Sequence, residues 1–224
     1  SIKAEELKLE VDNNGLKVTG DASIEGIPLS LVWNERFTDK NYKSRYNISF
    51  KFDDAFKKKV GIESDIINPP YISGYALIDA EITRFDDERM QIDINGNMAN
   101  ADVDYAFLGL VKPLGQPGTA KVRLNFVDGK LISVPNISFN KRDFVLNGKI
   151  ELDKEQRVKV VDIFNIKAPK TNAKAKIELA YGKKKKVKIN VSGSSYDLSE
   201  FFDKTDEKTA KPKSAGKKNQ KEDD

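Results

Sequence analysis

Apolar side chains recur at every second position of this chain, segment after segment. Ala120, Val122, Leu124 and Phe126 alternate with Lys121, Arg123 and Asn125. Phe144, Leu146, Ile150 and Leu152 repeat the pattern, and Val158, Val160, Phe164, Ile166 and Ala168 follow it. Ala173, Ala175, Ile177, Leu179 and Tyr181 come next, then Val187, Ile189 and Val191. A period of two puts all members of each set on one side of an extended strand, leaving the other side polar. The expectation is an all-β fold, a long, twisted and curved antiparallel sheet with one apolar face.

Turn signals separate the sets. Asp128-Gly129 is a hairpin dipeptide, whereas Asn147-Gly148 lies inside an alternating run, where it reads as a turn or a bulge. Gly182 before Lys183 to Lys186 closes a further hairpin, so residues 118–193 read as a meander. The first half is less regular. Leu7, Leu9 and Val11 face Leu16 and Val18 around Asn13-Asn14-Gly15, and Leu29 to Phe37 and Ser44 to Phe52 suggest another pair. One short helix is expected over Asp53 to Val60, with an acidic start, a Lys-rich last turn and Gly61 after it. Asn68-Pro69-Pro70 then breaks the chain before strands over Tyr75 to Thr83 and Met90 to Asn95. Three parts follow: residues 1–70 with strands and the helix, 71–202 with the meander, and a tail at 203–224. That tail has no large apolar side chain and is expected to be disordered.

Composition narrows the chemistry. The chain contains no Cys and no His, which removes disulfides, thiolate nucleophiles, the commonest zinc ligands and the usual neutral-pH base. No cofactor or metal is expected, and no enzyme activity. Lys and Arg number 39 against 35 Asp and Glu, a balance unlike that of a nucleic-acid binder. No apolar run reaches the roughly 18 residues of a membrane-spanning helix, and no signal peptide is visible. The opening at Ser1, directly before a strand pattern, reads as a segment of something longer.

A sheet with one apolar face must cover that face. A single short helix cannot do so for some dozen strands, which leaves a closed barrel or sandwich, or a bound apolar ligand. A lipid tail of about 15 methylenes has on the order of 10 kcal/mol at stake, at about 0.8 kcal/mol each. Patterning alone leaves the two answers open.

A resemblance bears on that choice. Ile72-Ser73-Gly74 leads into Tyr75-Ala76-Leu77-Ile78-Asp79, and Phe107-Leu108-Gly109-Leu110-Val111 leads into Lys112-Pro113-Leu114-Gly115-Gln116-Pro117-Gly118-Thr119-Ala120. Ser195-Tyr196-Asp197-Leu198-Ser199-Glu200-Phe201-Phe202 closes the block, and Ile27-Pro28-Leu29 through Trp33-Asn34-Glu35-Arg36-Phe37 precedes it. In these segments the chain resembles the AsmA-like family of bacterial inter-membrane proteins, in its YhdP/TamB-like branch. Lys112 to Gly118 is the most specific stretch. The resemblance implies a periplasmic groove that moves phospholipid between inner and outer membranes, anchored to the inner membrane by a segment absent here. Its partners would be phospholipid acyl chains, not nucleic acid.

Residues expected to line such a groove are Val122, Leu124, Phe126, Leu146, Ile150, Val160, Phe164, Ile177, Leu179, Ile189 and Val191. A closed β-sandwich acting as an interaction or adhesin-like module would use the same residues as its core. Asp79 with Glu81, and Asp102 with Asp104, share strand faces as catalytic pairs would, but read better as solvated positions. Lys183 to Lys186 reads as a solvated turn without interleaved aromatics. Trp33, Phe37, Tyr46, Phe50 and Phe52 read as core.

Overall fold

The computed structural model describes residues 2–38, 41–61, 67–106, 109–182 and 186–196. The first half holds β1 (Ile2–Val11), β2 (Gly15–Ile24), β3 (Ile27–Arg36), β4 (Ser44–Phe52), α1 (Asp54–Val60), β5 (Ile72–Gly74), β6 (Ala76–Arg84) and β7 (Arg89–Asn97). The second holds β8 (Ala101–Tyr105), β9 (Leu110–Lys112), β10 (Thr119–Val127), β11 (Lys130–Lys141), β12 (Phe144–Leu152), β13 (Val158–Ala168), β14 (Thr171–Ala180) and β15 (Lys186–Ser195). The sequence motif Phe107-Leu108, Lys183 to Lys185, the segment from Asp197 to Phe202 and the tail at 203–224 lie outside the described residues.

Twelve strands form one antiparallel sheet in the order β1-β2-β3-β4-β6-β7-β10-β11-β12-β13-β14-β15. β1 and β15 are its two edges and do not pair with each other, so the sheet is open and forms no barrel. β4 pairs directly with β6, from Phe52↔Ala76 to Ser44↔Arg84, so the strands on either side of the boundary expected at 70/71 belong to one sheet. At about 4.8 Å per strand the sheet extends roughly 50 Å across its strands. Two hairpins turn through paired residues with positive φ, Glu25-Gly26 and Asp128-Gly129. That is the geometry whose twist matches the flanking strands.

The register makes the apolar face continuous. One row runs Leu7, Gly20, Leu31, Ile48, Ala80 and Ile94 across the first six strands. It continues as Val122, Ile137, Gly148, Ile163, Ala175 and Val191 to the far edge. A parallel row begins Ala4, Ala22, Leu29, Phe50, Ile78 and Gly96. It ends Ala120, Phe139, Leu146, Ile166, Ala173 and Gly193. Each row crosses all twelve strands without a polar side chain. The opposite face carries Asp21, Ser30, Ser49, Asp79, Asn95 and Lys121 in one such row.

A smaller sheet, β5-β8-β9, lies over part of the apolar face. Ala101, Val103 and Leu110 from it join Ala76, Ile78, Ala80, Met98, Phe144 and Ile166 in the buried core. Lys112 ends β9 with its side chain 0 % exposed. Its ammonium donates to the carbonyls of Ala101 at 2.6 Å and Pro113 at 3.1 Å. Desolvation holds its pKa below the ordinary lysine value, opposed by the Asp102 carboxylate. The proline-rich stretch after it therefore has a structural task, closing a loop over a buried cation.

Two expected lining residues depart from the apolar face, and β-bulges are the reason. β13 pairs as Leu152↔Val158, then Glu151↔Val160 and Ile150↔Val161, so the strand slips by one residue near Lys159. Val160 stands opposite Glu151 and Glu178 on the polar side, and Val161 takes the apolar position. A second slip between Gly148↔Ile163 and Asn147↔Asn165 leaves Phe164 outside the paired rows and 49 % exposed. Asn147-Gly148 is thus an in-strand site beside a bulge, not a turn.

Candidate functional site

Two sequence-local devices shape the site. Asp53 caps α1, its carboxylate accepting from the Phe56 amide at 2.9 Å, and Gly61 ends it in the left-handed region at φ 69°. The Phe56 amide, followed by the Lys51 ammonium, holds the Asp53 carboxyl below the usual carboxylate range. The helix then turns one face onto the sheet. Phe56 stacks on Phe50 with centroids 4.5 Å apart and tilts against Phe52 at 5.5 Å.

Lys57 fixes the helix to the segment that follows it. Its ammonium, on a buried side chain, meets Asp54 at 2.6 Å, the Asn68 side-chain oxygen at 2.8 Å and the Ile67 carbonyl at 3.1 Å. A cavity of about 570 Å³ lies beside the Phe56–Phe50 contact, between the helix and the sheet. Ile48, Phe50 and Phe52 of β4, Ile78 and Ile82 of β6, Ile92 and Ile94 of β7, and Val122 of β10 form its floor. Phe56 and Val60 of α1, Ile67, and Ile72 of β5 form its other walls. Among the described residues, Asp53 and Lys57 are the charged side chains that reach it, and both have partners. The volume falls within the roughly 300–1,000 Å³ of small-molecule sites. Its wall offers an apolar guest dispersion contacts and burial.

The expected lining residues distribute unevenly around this cavity. Val122 lines it. Leu146 belongs to a row that enters the adjacent core. Leu124, Phe126, Ile150, Ile177 and Leu179 are half-buried on the same face beyond the cavity. Ile189 and Val191, 61 % and 54 % exposed, close that face at the edge strand. The alternation of the C-terminal meander predicts the groove there, whereas the sheltered part lies over β4, β6, β7 and β10. The same alternation was present there, in Ile48, Phe50, Phe52 and in Ile78, Ala80, Ile82. The amphipathic helix following β4 was the signal that something covers them.

The aromatic group divides. Trp33 and Tyr46 stack on the open face at 5.6 Å, Phe50 and Phe52 line the cavity, and Phe37 is exposed. Asp79 accepts from the Ser49 hydroxyl at 2.6 Å on the polar face, where Glu81 lies 3.6 Å from Arg45. Asp102 and Asp104 are exposed on β8. Among the described residues, no group of three acidic side chains is placed to hold a metal ion, and no helix is long and apolar enough to cross a membrane. No family model matches the chain, and neither a curated protein nor a solved structure is found similar to it.

Proposed function

We propose that this chain is a segment of a periplasmic lipid-conducting groove, in which the apolar face of the long sheet takes phospholipid acyl chains on their way between the inner and outer membranes. The observation that supports the reading is the unbroken apolar row from Leu7 to Val191 on an open sheet. An acyl chain lying along that row meets the same chemistry at every strand. The overhang of α1 and the small sheet gives it one sheltered stretch, the cavity above Ile94 and Val122. Headgroups stay outside, because among the described residues of the cavity wall the two charged groups, Asp53 and Lys57, are already partnered. About 0.8 kcal/mol per buried methylene drives entry. The mechanism is passive and catalyses no reaction.

A photo-reactive benzoylphenylalanine at Ile82, Val122 or Ile177, in protein expressed in bacterial cells, tests the reading. Covalent phospholipid adducts are expected at these three positions and not at Lys121 or Lys176 on the polar face. Equal labelling of both faces, or none at the first three, overturns the assignment.

A further inference from the structure

The two ends of the cavity differ. At one, beyond Phe52, α1 and β5 stand over the sheet. Toward the other, the lining stops at Ile82 and Ile92, in the row that Tyr46 shares. Trp33 stands beside Tyr46 in that row, on β3, and the two rings stack at 5.6 Å. One row further along the same face come Glu35, Ser44, Arg84 and Met90.

Polarity therefore enters in steps along the strands. Trp33 Nε1 is shielded from solvent and has no hydrogen-bond acceptor among the described residues. Shielded donors are nearly always paired, so this one calls for an acceptor where the apolar wall ends. Trp and Tyr suit such a boundary, each having an apolar body and a polar tip. In the next row, the Arg84 guanidinium lies 4.0 Å from Asp87, a carboxylate that Lys43 already holds at 2.6 Å. Its planar fork of N–H donors is thus left to meet a phosphate. Glu35 supplies the opposite charge two strands away.

A phospholipid has the same order of parts: apolar tail, ester carbonyl, phosphate. The spacings agree with it. From Phe52 to Tyr46, β4 spans about 20 Å, room for a long acyl tail, and the Tyr46 and Ser44 rows lie about 7 Å apart. We infer that the cavity holds one zwitterionic phospholipid in a fixed sense. Its tail lies under α1, its ester carbonyl meets Trp33, its phosphate meets Arg84, and its ammonium faces Glu35. This rests on the groove reading for the guest being lipid, and adds which way the guest lies.

Trp33 is the chain's one tryptophan, so its fluorescence reports on this boundary alone. The full chain is incubated with vesicles of phosphatidylcholine brominated either near the ester or near the methyl end of one tail. It is then separated from the vesicles, and bound lipid is counted by mass spectrometry. At equal loading, ester-proximal bromine should quench Trp33 at least twofold more than methyl-terminal bromine. Arg84→Gln should weaken loading by about tenfold, the scale of one charge-assisted hydrogen bond, with an unchanged circular dichroism spectrum. Loading with equal or reversed quenching, or loading indifferent to Arg84→Gln, overturns the orientation and leaves the groove reading standing. No loading at all overturns both.

Discussion

Lys112 passes directly over Gly118: a Cβ on Gly118 would lie 2.8 Å from Lys112 Cδ and 3.2 Å from Cε. The lysine stem cannot swing into solvent, since it is fully buried and its ammonium is held by two carbonyls. Gly118→Ala should therefore destabilise the protein by about 1–3 kcal/mol, the usual range for overpacking. Urea denaturation measures it. In a Lys112→Ala background the same glycine substitution should cost much less, and an unchanged cost would show that the contact is not the cause.

The buried ammonium also makes a pH prediction. Its folded pKa lies below the ordinary lysine value of 10.5, so in the intervening window the unfolded chain binds the proton more readily. Stability contributed by this group then rises as pH climbs from the folded value toward that of the unfolded chain. Lys112→Met should abolish this upward slope. The stability difference between wild type and variant, followed by chemical denaturation through the alkaline range, is the measurement. Identical slopes in the two proteins would refute it.

Asp53 acts in the opposite direction. Its depressed pKa means that its stabilisation is present above the ordinary carboxylate value of 3.8 and is lost as pH falls through the folded value. Asp53→Ala should cost about 1 kcal/mol near neutrality, as expected for an N-cap. It should also speed amide exchange over Asp54–Val60. Asp53→Asn should keep most of the cap and lose the acid sensitivity.

The bulges in β13 predict a contrast between neighbours. Val160→Lys places an ammonium opposite Glu151 and Glu178, and should change stability by less than about 0.5 kcal/mol. Val161→Lys puts the same charge between Ile150 and Ile177, and should cost about 2–4 kcal/mol. Thermal unfolding of the two variants decides it. A reversed order would mean that the strand keeps a regular period of two.

The strands and the one-sided sheet were legible because alternation is a local property. Asp53 and Gly61 likewise marked the helix with contacts no more than a turn away. What escaped was non-local. Val160 and Phe164 were placed by continuing an even-numbered alternation that two inserted residues interrupt. A bulge has no composition of its own. The cavity draws Phe50, Ile78, Ile94 and Val122 from four strands, and its roof from α1, so no window of sequence contains it. β5 and β9, 3 residues each, are too short to show a period at all. Lys112 looked like part of a specific motif, and its role depends on Ala101, which meets it only after β8 and β9 have paired.

The strand order has a further consequence, for how the protein forms and comes apart. Every neighbour in the long sheet is consecutive in the chain except β4–β6 and β7–β10, which skip the strands of the small sheet. Contacts of such short sequence separation close cheap loops, so assembly can begin at any hairpin and spread in both directions. Each strand then depends chiefly on the two beside it, as units do in a repeat array. The middle, locked by the small sheet and α1, is the natural nucleus, and the sheet should melt inward from β1 and β15, one ladder at a time.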